Sequence, residues 1–173
     1  LELLKEIIPK LTRLAIVHQG DTSVNELFLK EAEGSARALG VQLISLLVRA
    51  PKDYEGAVRS ANKKRAEALY SRLRPSPSSA DRRYFMQLTA KSRLATVSTR
   101  TEDAEAGGLL SYARDSSESY RRAATYVDKI LKGTKPADLP VEAPTKFDLV
   151  INLKTAKQIS LTIPQNVLAR ADR

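Results

Sequence analysis

The sequence predicts an α/β fold, a three-layer αβα sandwich built around a mainly parallel sheet. Short apolar segments alternate with segments of helical spacing, in the order β-α-β-α-β-α-β between Thr12 and Ser98. Connections of that length favour parallel pairing of strands, with helices on both faces. The composition, 42% hydrophobic and 28% charged over 173 residues, is that of a globular domain of ordinary size.

The first elements are a helix, a strand and a second helix. Leu1–Lys10 carries apolar residues at positions 1, 3, 4, 7 and 8 before Pro9, which is the spacing of one helix face. Thr12–His18 is a compact apolar run followed by turn residues, which indicates a buried strand. Val24–Leu39 again has helical spacing, and Gly40 follows where a helix-terminating glycine is expected.

The middle of the chain repeats strand and helix. Val41–Val48 is apolar and β-branched, so it predicts the second strand, and Asp53–Arg65 predicts a helix. Glu67–Leu73 is a poorer strand. After a loop that contains two prolines, Ala80–Ser92 has helical spacing and Leu94–Ser98 predicts the fourth strand.

The last third of the chain adds two strands around a long helix. The pair Gly107-Gly108 predicts a tight turn into a short strand near Leu109–Tyr112. Ser117–Lys132 is the clearest helix, with one apolar stripe. Three prolines make Thr134–Pro144 an extended connector, and Phe147–Leu153 is a strong strand candidate.

These elements predict a core built on four or five parallel strands. Seven apolar residues on the predicted strands and on the long helix are expected to be buried. They are Ile16, Val17, Leu43, Leu46, Val97, Val127 and Ile130.

Several kinds of chemistry have no support in the sequence. There is no cysteine and a single histidine, His18, so thiolate and multi-histidine metal sites are excluded. Neither of the two Gly-rich motifs that bind nucleotide phosphates is present. The spacing of the residues indicates no catalytic triad. A solvated loop explains the acidic cluster 102–105 as well as a functional site does. We therefore expect no enzyme activity, no metal and no cofactor. The longest apolar runs are far shorter than a membrane-spanning helix, so no transmembrane segment is expected.

The net charge of +9 is concentrated in one segment. Residues 59–100 hold eleven Lys or Arg and two Asp or Glu, whereas the remainder holds eighteen of each sign. A basic segment indicates an anionic partner, and a solvated basic surface on two neighbouring helices is the alternative. Aromatic residues for base stacking are nearly absent there, which argues against nucleic acid.

The loops after the strands are the expected ligand site, because parallel sheets bind ligands at the carboxyl ends of their strands. Any ligand is expected to meet polar and aromatic residues in those loops, with Arg74 pairing a carboxylate. Tyr112 either stacks on a ligand or packs within the sheet. The candidate binding residues are Gln19, Thr22, Arg74, Ser76, Ser111 and Tyr112.

Four segments resemble a known family. They are Ala36–Leu43 (ARALGVQL), Glu105–Tyr112 (EAGGLLSY), Tyr120–Lys157, which contains YVDKILKGTKPADLPVEAPTKFDLVINLKTAK, and Leu161–Asp172 (LTIPQNVLARAD). The pattern is similar to the ABC transporter substrate-binding proteins whose better-known members bind tryptophan and related aromatic amino acids. The similarity covers nearly the whole chain and weakens between Ala66 and Arg100.

The resemblance implies one lobe of a two-lobed, type I periplasmic binding protein. Residues 1–133 would form the α/β lobe, and residues 134–173 would supply the connector, the strand 147–153 and a tail that cross to a first lobe. It also implies a periplasmic location, a small-molecule solute and an ABC permease as partner. The start at Leu1, without Met or a signal peptide, resembles the middle of a longer protein.

The sequence leaves three function classes open. The first is a solute-binding component of an importer, the second an interaction or regulatory domain that uses residues 59–100 on an anionic partner, and the third a hydrolase or transferase on a flavodoxin-like sheet. Phe147–Leu153 is too apolar to stay unpaired. It is expected to join its own sheet edge or a second copy, which would give a homodimer.

Overall fold

The strands form one six-stranded sheet in a computed structural model that describes residues 1–20, 23–73 and 78–173. The strands of the described residues are β1 (Arg13–Gln19), β2 (Gln42–Val48), β3 (Ala68–Arg72), β4 (Ala95–Ser98), β5 (Leu110–Arg114) and β6 (Phe147–Ile151). Their order is β2-β1-β3-β4-β5-β6. The first five strands run parallel and β6 runs antiparallel to β5, so the predicted mainly parallel sheet is confirmed.

Helices connect the strands as the spacing predicts. Within the described residues they are α1 (Glu2–Ile7), α2 (Ser23–Ala38), α3 (Tyr54–Lys63), α4 (Ser79–Lys91), α5 (Thr101–Glu105), α6 (Ser116–Leu131), α7 (Leu153–Gln158) and α8 (Gln165–Leu168). Helix α5 replaces the solvated loop that was expected around residues 102–105. This helix is only five residues long, which is too short for a periodic signal.

Two apolar cores lie on opposite faces of the sheet, because successive strand residues point to opposite sides. One core joins the sheet to α1, α2, α7 and α8, and the other joins it to α3 and α4. Of the residues expected to be buried, Ile16, Val17, Leu46 and Val97 are buried, and Leu43 is partly buried against the first core.

The predicted burial of Val127 and Ile130 is wrong. Their side chains are 55% and 40% exposed, and none of the α6 side chains that the structure describes is buried. The helix and its apolar stripe are as predicted. The apolar stripe does not pack against the sheet, because α6 and the proline-rich connector extend away from the sheet together.

Residues 116–145, here called the α6 arm, fold back on themselves. Tyr126 donates its hydroxyl to the carbonyl oxygen of Pro140 at 2.6 Å, and Arg122 pairs with Glu142. At the base, the Asp115 amide donates to the Lys146 carbonyl oxygen at 3.1 Å, and the Lys146 ammonium lies 3.2 Å from the Asp115 carboxylate. The arm therefore leaves the sheet after β5 and returns at β6.

Strand β6 pairs within this sheet, which is one of the two partners that the sequence left open. Its ladder with β5 runs from Leu110↔Ile151 to Arg114↔Phe147. The resemblance implied that this strand would serve a first lobe, and here its ladder partner is β5 instead. On its other side, the Asp172 amide donates to the Leu149 carbonyl oxygen at 2.8 Å.

The turn before β5 requires glycine, as the sequence predicts. Gly107 has φ +114°, a conformation that other residues rarely adopt. A Cβ on Gly108 would lie 2.9 Å from the backbone oxygen of Asp103, which is closer than van der Waals contact allows. These two glycines let α5 pack closely against the start of β5.

Candidate ligand-binding edge

The five parallel strands end along one edge of the sheet, here called the carboxyl edge. Gln19 ends β1, Arg72 ends β3, Ser98 ends β4 and Arg114 ends β5. Because β6 is antiparallel, its first residue, Phe147, lies at the same edge. Side chains from separate parts of the sequence are therefore brought together there.

Two of the predicted site residues lie at this edge with exposed atoms. Gln19 is half-buried, and its side-chain amide donates to the Arg49 carbonyl oxygen at 3.4 Å. Tyr112 is 49% exposed. Three more predicted residues, Thr22, Arg74 and Ser76, lie outside the described residues.

Ser111 is fully buried, so its hydroxyl is not available at the edge. Its register partners are Ser98 on β4 and Val150 on β6, and all three side chains share the face that carries α3 and α4. Tyr112, the next residue, points to the opposite face. The two residues therefore lie on opposite faces of the sheet, and a ligand role for either of them stays a prediction.

Tyr112 stacks on Phe147. Their ring centroids are 5.3 Å apart with an interplanar angle of 15°, and both side chains stay more than two-fifths exposed. Packing within the sheet, one of the two alternatives for Tyr112, is therefore present. The exposed ring faces leave an aromatic platform at the carboxyl edge, of the kind that binds flat apolar groups.

A second aromatic and cationic group, absent from the residues predicted from sequence, lies over β3. The Arg72 guanidinium carbon is 4.1 Å from the centre of the Phe28 ring, and Phe28 stacks on Tyr70 with centroids 5.7 Å apart. Asn25 accepts from Arg72 Nε at 3.2 Å. Strand alternation places Arg72 on the same face as Tyr70, a signal that could have found it.

Asn25 also ties the start of α2 to the end of β1. Its side-chain amide donates to the carbonyl oxygens of Gln19 at 2.9 Å and Gly20 at 2.7 Å. The Arg72 position is therefore fixed through Asn25 to the backbone at the edge.

A groove of about 1090 Å³ joins the two aromatic groups on this face of the sheet. Helices α1 and α2 form its walls, and Ser98 and Thr99 bring it to the carboxyl edge. Its apolar and aromatic lining includes Leu14, Ile16, Phe28, Tyr70, Val97, Leu110, Tyr112 and Phe147. Charged residues, among them Glu2, Glu31 and Asp172, complete the lining, and the groove is open on one side.

The other polar groups near the edge have structural partners. His18 is buried, and its Nε2 lies 2.8 Å from Ser45 Oγ, between β1 and β2. Asp103 is buried and lies 3.0 Å from Arg82 Nε. Burial raises the pKa of Asp103, although Arg82 and a hydrogen bond from Ser98 oppose the rise. No group of three or more metal-ligating side chains occurs among the described residues.

Comparison with known proteins identifies the family. A family profile described as ABC transporter substrate binding protein matches residues 1–173, the whole chain. The chain belongs to this family. No curated protein sequence matches it significantly. The resemblance noted in the sequence is therefore confirmed.

Solved structures of ABC substrate-binding proteins and related binding proteins share the fold. A conserved domain protein from Vibrio cholerae is 26% identical with a TM-score of 0.86, over 99% of this chain and 57% of that one. An L-Trp complex from Streptococcus pneumonia is 22% identical with a TM-score of 0.80, over 99% of this chain and 59% of that one. A ligand-free, open substrate-binding protein from Clostridium difficile is 17% identical with a TM-score of 0.73, over 95% of this chain and 55% of that one.

The present chain thus spans a little over half the length of these solved relatives. The chain has the fold of the periplasmic binding proteins, which confirms the fold that the resemblance implied. The relatives include an L-Trp complex and a glucose-galactose binding protein, so the family alone leaves the type of solute open. No helix of the described residues is long and apolar enough to cross a bilayer.

Proposed function

We propose that this ABC substrate-binding chain forms one wall of a solute-binding cleft and captures a small organic solute, such as an aromatic amino acid, for an ABC permease. The observation that carries the proposal is the open groove that reaches the carboxyl edge, which is lined by the half-exposed Tyr112–Phe147 pair and by the stacked rings of Phe28 and Tyr70. An aromatic solute fits these rings.

A binding role accounts for the site better than catalysis does. The buried acid of the edge, Asp103, is paired with Arg82, and the one histidine is engaged with Ser45. Asp103 is held by Arg82 and not by the His18–Ser45 pair, so these three described residues do not form the relay of acid, histidine and hydroxyl that nucleophilic catalysis uses. Periplasmic capture, as the family implies, belongs to the same proposal.

The α6 arm supports the proposal of a second wall. Four large apolar side chains of α6 are exposed: Tyr120, Val127, Ile130 and Leu131. An amphipathic helix with an open stripe needs a covering surface. We propose that another lobe covers it and closes the groove from the open side, in keeping with the 57% coverage of the Vibrio cholerae relative.

Ligand-observed NMR on the purified chain tests the aromatic platform, because saturation transfer detects millimolar binding to an open groove. L-phenylalanine and L-tryptophan should show transfer to their rings, and Tyr112→Ala together with Phe147→Ala should abolish it. Tyr84→Ala is the matched control, since Tyr84 is a similarly exposed tyrosine on α4 that bonds Glu55. Equal saturation transfer in the double variant and in the wild type would contradict the proposal that these two rings bind the solute.

A further inference from the structure

A group of exposed cations lies at the amino edge of the sheet, where the five parallel strands begin. Strands β1, β3 and β4 are neighbours in register, and each is preceded by an exposed basic residue: Lys10, Arg65 and Arg93. Arg13 donates from Nε to the Arg65 carbonyl oxygen at 2.6 Å, which fixes the start of β1 beside the turn before β3. Neighbouring strands are about 4.8 Å apart, so the three positions span roughly 10 Å of the edge.

Further cations extend this group along the amino edge. Helices α3 and α4 end there, with lysines in or just after their last turns. Helix α7 begins there, because the antiparallel strand β6 ends at this edge. The exposed cations, here called the basic edge, are Lys10, Lys63, Lys64, Arg65, Lys91, Arg93, Lys154 and Lys157. None of their side chains forms an ion pair with a carboxylate in the described part of the chain.

Acidic side chains near the basic edge already have cationic partners outside it. Their ion pairs are Glu6–Arg170 at 2.8 Å, Glu67–Arg13 at 3.1 Å and Glu105–Arg173 at 3.8 Å. On α2, which also ends at this edge, Glu33 lies one turn before Arg37, so this helix end adds no net charge. These neighbours therefore do not neutralise the basic edge, and its positive charge attracts an anionic partner.

Two of the cations occupy backbone positions that favour glycine. Arg65 and Arg93 have φ of +57° and +54°, in the left-handed region. In both turns the following amide donates back into the last helical turn, to the carbonyl oxygen of Ala61 or Thr89, and glycine or asparagine is the usual residue there. The helix dipole explains a lysine in a last turn, but an arginine in the left-handed conformation is strained relative to glycine. The chain therefore keeps two guanidinium groups on this edge in spite of backbone strain.

A large apolar side chain lies among the cations of this edge. Leu153 is the first residue of α7 and is 57% exposed. Lys154 follows it directly, and Lys157 lies four residues after it, on the same face of the helix. Such a combination suits a bilayer surface, because the leucine enters the interface while the ammonium groups meet lipid phosphates.

We propose that the basic edge binds the surface of a bilayer that contains anionic phospholipid, with Leu153 as an apolar contact. The family belongs to ABC transporters, which lie in a membrane, so a bilayer is close to the working protein. A nucleic acid fits this edge less well, because exposed aromatic rings on which bases could stack lie elsewhere, on Tyr84, Tyr112, Tyr120 and Phe147. The proposal is independent of the solute, since the solute groove reaches the opposite, carboxyl edge.

Co-sedimentation of the purified chain with lipid vesicles tests the proposal. Vesicles of phosphatidylcholine alone are compared with vesicles in which about a third of the lipid is phosphatidylglycerol. The chain should sediment with the anionic vesicles at low salt and stay in solution with the neutral ones. Binding should be lost in about 0.5 M salt, because the Debye length then falls to roughly half of its physiological value.

Two double variants assign the binding to the basic edge. Arg65→Gly with Arg93→Gly removes two charges and relieves the left-handed strain, so the melting temperature should stay constant or rise. The affinity for anionic vesicles should nevertheless fall about thirtyfold, since each cation near the surface contributes about fivefold. Lys64→Gln with Lys91→Gln leaves both turns intact and should weaken binding by a similar factor.

A matched control and an apolar variant complete the set. Lys30→Gln with Lys52→Gln also removes two exposed lysines, on α2 and just after β2, and should change the affinity less than about twofold because both lie outside the basic edge. Leu153→Ala should weaken vesicle binding about fivefold, because the apolar contact with the bilayer is reduced.

Three results would overturn the proposal: equal binding to neutral and anionic vesicles, no binding to the anionic vesicles at low salt, or equal losses in the control and basic-edge variants. A short DNA duplex or a polyglutamate peptide that binds at the basic edge, while anionic vesicles do not, would overturn it in favour of a different polyanion. Saturation transfer to L-phenylalanine is measured separately, so a loss of vesicle binding leaves the proposed function in place.

Discussion

Replacement of Glu67 should destabilise the lobe, because this carboxylate ties the starts of two strands together. Glu67 precedes β3 and accepts the backbone amides of Thr12 at 2.6 Å and Arg13 at 2.9 Å. It also accepts the Thr12 hydroxyl at 3.0 Å and an Arg13 guanidinium N–H at 3.1 Å. The carboxylate thus fixes β1 against β3 at the amino edge, opposite the carboxyl edge.

The expected cost of Glu67→Ala follows from these four bonds. A hydrogen bond to a charged group contributes about 1.5–3 kcal/mol, but bonds to one carboxylate are not additive. The side chains of Arg13 and Glu67 are 34% and 32% exposed, so water replaces part of what is lost. We expect a loss of about 2–3 kcal/mol in the free energy of unfolding, and about 1 kcal/mol for Glu67→Gln.

The effect should depend on pH with a defined sign. Burial raises the pKa of Glu67, and the bonds from Thr12 and Arg13 outweigh burial, so the net pKa is lowered. A lowered pKa contributes stability above the unfolded-state pKa and loses it as the pH falls through the folded-state pKa. Glu67→Gln should remove the part of the free energy of unfolding that is lost on acidification.

Urea unfolding followed by circular dichroism at neutral and acid pH measures both quantities. Glu33→Gln, which changes an exposed carboxylate on α2 with no described partner, is the control and should change stability by less than about 0.5 kcal/mol. A Glu67→Ala variant as stable as this control would refute the reasoning.

Three further predictions concern the buried ion pair, the sixth strand and the open groove. Asp103→Leu should lower the free energy of unfolding by about 3–5 kcal/mol, because it removes a buried carboxylate 3.0 Å from Arg82, whose side chain is only 13% exposed; in thermal melts the double variant with Arg82→Met should recover most of this loss, and a double variant as destabilised as Asp103→Leu would contradict the prediction. Because β6 pairs inside the lobe, light scattering should find a monomer, whereas a dimer that Val150→Lys dissociates would support the strand-mediated homodimer. Calorimetry of the isolated chain with aromatic amino acids should show weak heat or none, and submicromolar affinity would contradict a half-open site.

Most of the fold was predictable because its signals are local. Apolar runs such as Leu14–Val17 and helical spacing such as that of α2 depend on neighbouring residues alone, and alternation of these elements restricts the topology. The burial of Val127 and Ile130 was not predictable in the same way. Amphipathicity indicates that a stripe needs a cover, but it does not say whether this chain supplies the cover.

The site was only partly predictable, because side-chain direction at a strand end needs the register. Ser111 and Tyr112 were predicted together as ligand residues, yet alternation sends them to opposite faces. Arg72 was not among the predicted residues, although strand alternation places it on the face of Tyr70; its packing on the Phe28 ring is visible only in the structure. Asn25, forty-seven residues from Arg72, has no sequence signal that links the two.

The central claim is that a solute binds the carboxyl edge of this sheet, and backbone amide shift mapping tests it most directly. With L-phenylalanine as the probe, saturable shifts should concentrate at residues 19–20, 72, 98–99 and 112, which lie at the carboxyl edge or line the groove that reaches it. Shifts concentrated at the amino edge, around Arg13 and Glu67, would contradict the claim, as would the absence of any saturable shift.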